Sequence, residues 1–423
     1  MGGSCVANNQ NAEPPSALSP QRVIVMLFCF LALQPLSTDL YLPSLPTIGK
    51  VFATDNTHVQ LTMSLFVAAY AASQLIAGPF TDRFGRLPGT LIGCFCYFAG
   101  SLLCATASSI DGLIIGRMAQ GMAVGTIVVC GRSIFRDSFE PEAGARVLAK
   151  LYSWIGIVPF TAPFIGGFLL EKIGWFANFW LLSLIAGATT VFCLLVLKET
   201  NRYKNPTALH PKPLVLNYLM VLRNAEFRGF TLAISASFCG LFIFLSGSSF
   251  VFINAMQLTP MQYSIGFSVV CLGYMTGTQI ASWMLPLKGI PKTARIASLF
   301  SAAGGIAMLC IAAISYTAWG ESLRMQPASL LAPMFVYLCG HGMLQPCCQT
   351  GAVGPFPKNA GAASAMLGFT MNVSAAIAGL LLAKVFNGTS VPMSAGIAVA
   401  GMSTLVCAHL LIHQPKDSNQ PSR

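Results

Sequence analysis

Long apolar runs constrain this chain more than any other feature of its sequence. A helix needs about 20 predominantly apolar residues to cross the hydrocarbon core of a bilayer. Of the 423 residues only 9% are charged, compared with about 25% in soluble domains. The sequence therefore predicts an all-α membrane protein with twelve transmembrane helices. The predicted spans are Val23–Ile48, His58–Phe80, Pro88–Ser109, Leu113–Phe135, Val147–Leu170, Trp175–Leu197, Phe230–Asn254, Tyr263–Leu287, Ile296–Tyr316, Ser329–Val353, Gly361–Phe386 and Val391–Ile412.

The longest polar stretch divides these spans into two sets of six. We expect residues 1–21 to form a disordered cytoplasmic tail, 22–197 an N-terminal six-helix bundle, 198–228 a cytoplasmic linker, 229–413 a C-terminal six-helix bundle and 414–423 a second cytoplasmic tail. This layout is typical of transporters built from two related bundles. The repeat is inferred from the layout, because the two halves share little residue identity.

The distribution of lysine and arginine predicts the orientation. The loops on the side opposite the N-terminus carry only Lys50, Lys172, Arg324 and Lys384, whereas the other loops hold most of the basic residues. Because cytoplasmic loops are rich in basic residues, we expect both termini in the cytoplasm and the protein in the cytoplasmic (inner) membrane. The net charge of +11 then faces anionic lipid, and we expect no nucleic-acid partner.

Asp39 lies inside the first apolar run, between Gln34-Pro35-Leu36-Ser37-Thr38 and Leu40-Tyr41-Leu42-Pro43. A carboxylate at bilayer depth costs about 2.5–3.5 kcal/mol on insertion scales. A residue with that cost is usually retained for a function, most often as a proton or ligand site. The alternative is an acid at a loosely defined helix end that faces water.

The loop after the second span has the sequence Gly78-Pro79-Phe80-Thr81-Asp82-Arg83-Phe84-Gly85-Arg86. A tight turn favours glycine at Gly85. Asp82 and the two arginines form a cluster that is able to lock and unlock against neighbouring helix ends. The alternative is a basic loop that serves only orientation, although orientation alone does not explain Asp82.

The fourth span contains Arg117, Gln120, Gly121 and Gly125. Arg117 and Gln120 share one helix face, and the two glycines allow another backbone to come close. An arginine with an amide one turn away is expected to face the bundle interior. The alternative is that Arg117 snorkels to the interface.

The fifth span is rich in residues that disturb a helix. The segment from Gly156 to Gly167 contains Pro159 and Pro163 together with Gly166. Prolines and glycines of this density predict a bent helix with a smooth face of small residues.

These motifs resemble those of a known family. The loop Asp82–Arg86 is similar to the loop signature of the major facilitator superfamily, and the motifs of the fourth and fifth spans are similar to those of its antiporters. The first-span run Pro35–Pro46 narrows the resemblance to the bicyclomycin-resistance/chloramphenicol-efflux (Bcr/CflA) branch of drug:proton antiporters. Further matching runs are Arg132–Asp137, Phe250–Ile253 and Gly361–Ala365.

The resemblance implies two six-helix bundles around a central cavity that opens alternately to each side. It associates Asp39 with proton and cationic-drug binding, Arg117 with proton coupling and Asp82 with conformational locking. The chain departs from the family in two places. Some relatives have a second acid in the first helix, where this chain has Leu31 and Ala32, and the loop Lys288–Lys292 lacks the acid of a second loop motif.

Polar and aromatic residues in the spans are the candidate walls of the cavity, because a largely aromatic site suits amphiphilic ligands. For any one of them, core packing is an equally good explanation. The candidate substrate-binding residues are Gln34, Asp39, Tyr41, Tyr70, Gln74, Gln120, Phe242, Phe244, Tyr274, His341, Gln345 and Asn372. The candidate gating residues are Asp82, Arg83, Gly85, Arg86, Arg136, Pro159, Pro163, Gly166 and Gly167.

The sequence predicts a proton-driven exporter of small organic molecules or drugs. It is not expected to be an enzyme, because HExxH, GxSxG and phosphate-binding loops are all missing. We expect a monomer with no cofactor, energised by the proton gradient, and no metal site, since Cys347 and Cys348 near His341 are better explained by packing. The alternatives are a narrow metabolite exporter or an inward symporter of the same fold. A sensor or membrane enzyme would require a soluble module.

Overall fold

The computed structural model describes residues 19–139, 144, 147, 151, 154–201, 204, 206–319, 326–357 and 359–412. All regular structure in these residues is helical. The helices are α1 Pro20–Asp39, α2 Leu45–Val51, α3 Asn56–Phe84, α4 Arg86–Ala105, α5 Ile110–Ser138, α6 Val158–Lys172, α7 Phe176–Val196, α8 Pro211–Arg223, α9 Ala225–Ser249, α10 Pro260–Trp319, α11 Pro327–Val353, α12 Ala360–Val385 and α13 Val391–Leu410.

Ten helical segments in the described part of the chain are long and apolar enough to cross a membrane. The prediction of an all-α, multi-pass membrane protein is therefore confirmed. The helix α10 has 60 residues and bends at Gly289, whose φ is 73°, so it contains both the eighth and the ninth predicted spans. The fifth predicted span is described mainly as α6, and part of it lies outside the described residues.

The first apolar run is interrupted near its middle. Helix α1 ends at Asp39, a short 3-10 turn covers Leu42–Ser44, and α2 follows. Pro43 and Pro46 explain the interruption, because proline lacks the N–H that would continue the helical hydrogen bonding. The expected span Val23–Ile48 is thus two helices with Asp39 at the break.

The predicted linker contains a helix that the sequence analysis did not foresee. Helix α8 begins at Pro211, and a proline in the first turn is tolerated because its missing N–H would have no helical partner there. Pro211 and Pro213 therefore mark the start of a helix and not an irregular connection. The predicted tails lie almost entirely outside the described residues.

The helices of the two chain halves pack against each other, chiefly α3 on α12 and α6 on α10. We call the end of the molecule with residues 45–55 the Lys50 end, and the end with residues 83–87 the Arg86 end. At the Lys50 end, Thr57 Oγ1 donates a hydrogen bond to the Ala383 carbonyl (3.2 Å), and the Met261 amide donates to Glu171 Oε1 (3.1 Å). The largest apolar core cluster contains residues of both halves.

Candidate functional site

The carboxylate of Asp39 is buried at the break between α1 and α2, with only 5% of the residue exposed. Thr38 Oγ1 donates a 2.7 Å hydrogen bond to Asp39 Oδ1. Asp39 forms none of the ion pairs among the described residues; the acids in those pairs are Asp55, Asp82 and Asp137. The titratable neighbours that interact electrostatically with Asp39 are Tyr263 and Cys271 of α10. Asp39 is therefore a buried acid that pairs with no cation in the described part of the chain, and it lies close to the opposite half.

Arg117 is completely buried inside the helix bundle. Its Nη1 donates hydrogen bonds to the Ser37 carbonyl (2.9 Å) and to Gln120 Oε1 (3.0 Å). Its guanidinium carbon lies 4.2 Å from the ring centroid of Phe66 and 4.9 Å from that of Tyr41. Arg117 thus faces the interior and does not snorkel. The faces of two aromatic rings and two hydrogen-bond acceptors stabilise its positive charge.

The polar contacts around Arg117 continue into the neighbouring helices. Gln120 Nε2 donates a 2.8 Å hydrogen bond to Ser101 Oγ. The hydroxyls of Ser37 and Tyr97 lie 2.6 Å apart, and the hydroxyl of Tyr41 lies 2.8 Å from Thr62 Oγ1. This network connects α1, α3, α4 and α5 around one positive charge.

The small residues of α5 and α6 allow close backbone contacts. Gly121 packs on the Phe66 backbone of α3, and a Cβ at this position would collide with the Phe66 carbonyl. Gly166 packs in the same way on the Leu40 carbonyl, one residue after Asp39. Gly167 faces Ser264 and the Pro260 carbonyl of α10.

Adjacent glycines of α6 therefore touch both halves of the chain beside the break in α1. Both predicted prolines belong to this helix: Pro159 lies in its first turn and Pro163 is buried in its interior. The two prolines and two glycines proposed as gating residues thus share one helix at the contact between the halves.

A second group of polar and aromatic residues surrounds His341 in α11. His341 is buried, and its Nδ1 lies 2.9 Å from Ser237 Oγ. The rings of Tyr274 and Phe238 lie 5.9 and 6.0 Å from the imidazole. The structure thus brings together two of the candidate cavity residues, His341 and Tyr274, and adds Phe238.

Gln74 of α3 and Asn372 of α12 both contact Gly368 of α12. Asn372 Nδ2 donates a 2.8 Å hydrogen bond to the Gly368 carbonyl. The Gln74 amide lies against Gly368 and leaves no room for a side chain there. Gln74 therefore lies at a contact between the halves, and Asn372 bonds to the residue of α12 that Gln74 touches.

The remaining candidates have different surroundings. Phe242 and Phe244 are buried in the apolar core, where Phe244 stacks on Phe267 at 5.8 Å. Tyr70 is buried, while Gln34 and Gln345 are half-buried. In this conformation the two phenylalanines pack in the core, which is the alternative considered for each aromatic candidate.

The loop at the Arg86 end forms a compact charged cluster. Arg86 is buried, and its Nη1 pairs with Asp82 Oδ1 at 2.6 Å while its Nε contacts Asp137 Oδ2 at 3.4 Å. Gly85 has a φ of 117°, a conformation that favours glycine. Arg83 lies over the Phe84 ring at 5.2 Å.

Glu199 and Asn201, which follow α7, complete this cluster. Glu199 accepts hydrogen bonds from the backbone N–H groups of Arg86 (2.9 Å) and Leu87 (3.2 Å). Asn201 Nδ2 contacts the carbonyls of Thr81 and Asp82 at 3.3 and 3.2 Å. A carboxylate thus caps the start of α4 and an amide caps the end of α3, which satisfies backbone groups that helices leave unpaired.

Arg136 and Asp82 do not pair in this structure. The sequence predicts that Asp82 pairs with Arg136, at the cytoplasmic end of the fourth span, when the cavity faces outward. In this structure Asp82 pairs with Arg86, because the Gly85 turn brings the arginine four residues later into reach. Arg136 Nη1 instead lies near Gly361 at the start of α12. The pair between Asp82 and Arg136 stays a prediction for the other conformation.

The residues predicted from the sequence for this cluster did not include Glu199, Asn201 and Asp137. Glu199 is the second residue after the sixth apolar run, and an acid among basic residues at a span end was the available signal. Within the described part of the chain, no group of three His, Cys, Asp or Glu residues is placed to hold a metal ion.

Comparison with known proteins identifies the family of this chain. A family model described as Major Facilitator Superfamily matches residues 27–418. The chain belongs to the major facilitator superfamily. It is therefore a transporter of small molecules rather than an enzyme, and the predicted family is confirmed.

Individual relatives of this superfamily cover most of the chain. The "Bicyclomycin resistance protein homolog" of Haemophilus influenzae is 26% identical over 361 residues, which are 85% of this chain and 88% of the relative. "Multidrug resistance protein D" of Escherichia coli is 25% identical over 401 residues, covering 94% and 98%. The crystal structure of the human organic anion transporter MFSD10 has a TM-score of 0.68 at 19% identity, covering 94% and 100%.

Proposed function

We propose that the protein is a proton-coupled antiporter that exports small organic molecules or drugs. In this proposal two six-helix bundles alternate access to a central site across the cytoplasmic membrane, with both termini in the cytoplasm. The protein acts as a monomer without a cofactor, and the proton gradient supplies the energy. The relatives named for bicyclomycin and multidrug resistance support drugs as the substrate class.

The observation that carries the proposal is the buried carboxylate of Asp39, which pairs with no lysine, arginine or histidine among the described residues. A buried charge without a partner is costly, so the environment favours the protonated acid. A change of conformation that hydrates Asp39 would favour release of that proton. Asp39 is linked to Arg117 through the Ser37 carbonyl, two residues earlier, so proton binding and helix packing are able to influence one another.

The arrangement of contacts supports alternating access. The halves are joined by two hydrogen bonds at the Lys50 end, by contacts along α3 and α12 and along α6 and α10, and at the Arg86 end by Arg136, which lies near Gly361. Under the proposed topology the Lys50 end faces outward, so this conformation is closed to the outside. When the Arg86 end opens, Asp39 receives substrate and releases its proton on the cytoplasmic side.

The test is a flux assay in proteoliposomes with a panel of amphiphilic drugs and metabolites. Uptake is measured with an imposed pH gradient, without a gradient, and with the gradient reversed. We expect gradient-dependent exchange of at least one drug in the wild type and in Asp111→Asn, a control at an exposed acid. Gradient-dependent transport should be lost in Asp39→Asn. Transport of substrate in the same direction as protons would establish the symporter alternative instead.

A further inference from the structure

Helix α8, Pro211–Arg223, presents an exposed apolar face that the protein does not cover. Its opposite face binds the protein: Val221 is buried, and the Tyr218 hydroxyl donates a 2.9 Å hydrogen bond to the Leu75 carbonyl of α3. The exposed apolar residues are Val215, Leu216, Leu219, Met220 and Leu222, which are between 37% and 57% exposed. At 100° per residue they share one side of the helix.

Basic residues stand at both ends of this face. Lys212 and Arg223 are exposed and eleven residues apart, so they point in nearly the same direction, about 16 Å apart along the axis. The helix contains no acidic residue. An apolar stripe with a cation at each end is typical of helices that lie in a membrane interface.

The depth of the helix agrees with such a position. Helix α3 has 29 residues, about 43 Å, and exceeds the roughly 30 Å hydrocarbon core. Leu75 lies nine residues before the end of α3, about 13 Å back from it. If α3 is centred in the bilayer, Leu75 lies about 7 Å inside the hydrocarbon boundary at the Arg86 end, a depth that the Tyr218 side chain reaches from a helix lying at that boundary.

We propose that the exposed face of α8, from Lys212 to Arg223, binds the anionic lipid headgroups of the membrane. The apolar residues insert among the upper acyl chains, and the two basic side chains contact lipid phosphates. This interaction does not depend on the transported substrate or on proton coupling. Lipid binding would also anchor α8 in the membrane. Since α8 contacts α12 and is hydrogen-bonded to α3, it touches both halves of the chain.

Tyr218 of α8 lies near the charged cluster at the Arg86 end. Burial raises the pKa of Tyr218 to about 12, and the charge of Asp82 contributes to that rise. A lipid surface that holds α8 in place thus also holds a neighbour of Asp82.

The test is hydrogen–deuterium exchange of the full-length protein in lipid nanodiscs that each contain one copy of the protein. One set of discs contains phosphatidylcholine alone, and the other contains one quarter phosphatidylglycerol. We expect amides in residues 211–223 to exchange more slowly in the anionic discs, by roughly fivefold for each basic residue. Lys212→Gln/Arg223→Gln should abolish the difference, and Leu216→Gln/Leu219→Gln should accelerate exchange in both discs.

Lys50→Gln/Lys172→Gln, which removes two cations at the Lys50 end, is the matched control and should keep the lipid effect. Exchange in residues 57–74 of α3 should be the same in all variants and serves as the check on folding. Equal exchange of residues 211–223 in the two membranes would overturn the proposal. Protection that appears only in discs with two copies would assign the face to a second copy of the chain.

Discussion

Nη1 of Arg117 donates a 2.9 Å hydrogen bond to the main-chain carbonyl of Ser37. Because α1 ends at Asp39, this carbonyl is one of the last four in the helix and has no helical N–H partner. The guanidinium therefore caps α1 and places a positive charge at the negative end of its dipole. This cap, with the two aromatic faces, explains how an arginine is buried without a carboxylate.

Replacing Arg117 tests this cap. Arg117→Lys keeps the charge but loses the planar group that reaches the Ser37 carbonyl and Gln120 together. We expect transport to fall at least tenfold while the protein stays monodisperse in detergent. The measurement is the initial rate of gradient-driven uptake, with size-exclusion chromatography as the folding check. Arg117→Ala that transports like the wild type would exclude both a coupling and a positioning role.

Asp39→Asn separates substrate binding from proton coupling. Asparagine has nearly the same size and mimics the protonated acid, so the site should persist while the titratable group is lost. We expect exchange of a neutral substrate across vesicles without a pH gradient to stay within about twofold of wild type. Accumulation driven by a pH gradient should fall at least tenfold. Undiminished accumulation would remove Asp39 from the coupling mechanism.

The positions of Asp39 and Arg117 were predictable because the cost of burying a charge is visible in the local sequence. The family motif likewise predicted the turn at Gly85. The partners of these residues were not predictable. Glu199 reaches Arg86 from 113 residues away, and no local pattern specifies such a pairing. The helix α8 was missed because prolines both end and begin helices, and sequence alone does not distinguish the two.

The cap that Glu199 provides on α4 should contribute measurably to stability. Glu199→Gln keeps the shape but weakens one of the two charge-assisted hydrogen bonds from backbone N–H groups and removes the other, because the amide nitrogen of glutamine cannot accept. We expect the variant to lose about 1–2 kcal/mol of stability. Glu226→Gln is the matched control, because Glu226 lies in the first turn of α9 and is exposed. Thermal unfolding in detergent compares the two, and an equal effect of both substitutions would contradict the cap.

Asp55 gives a prediction for the pH dependence of stability. Its side chain caps α3 through the His58 amide at 3.0 Å, and hydrogen bonds from His58 hold the pKa of Asp55 below its usual value. A lowered folded-state pKa contributes stability above the unfolded-state pKa, about 3.9, and this contribution disappears as pH falls through the folded-state value. Unfolding midpoints between pH 6 and 3 should therefore fall more steeply for the wild type than for Asp55→Asn. Parallel curves would contradict this assignment.

The last prediction concerns the number of protons exchanged per cycle. The chain has thirteen acidic residues. Asp39 lies inside an apolar run, whereas the other acids in the described part of the chain lie in loops or within a few residues of helix ends. One intramembrane carboxylate predicts one proton per cycle, unless the buried His341 also titrates.

Exchange of one proton for one neutral molecule moves a net positive charge inward. Such transport is driven by about 2.3 kcal/mol per 100 mV of membrane potential and about 1.4 kcal/mol per pH unit. For a monovalent cation the exchange is electroneutral, so only the pH term remains. Dications must be exported against the potential and should be poor substrates.

Valinomycin with potassium, at a fixed pH gradient, removes the potential alone. Export of a neutral substrate should then slow markedly, while export of a monovalent cation should barely change. Equal sensitivity of the two substrates would refute the count of one proton. His341→Gln would then be the next variant to measure, because His341 is the buried histidine of α11 and its ring faces Tyr274 and Phe238.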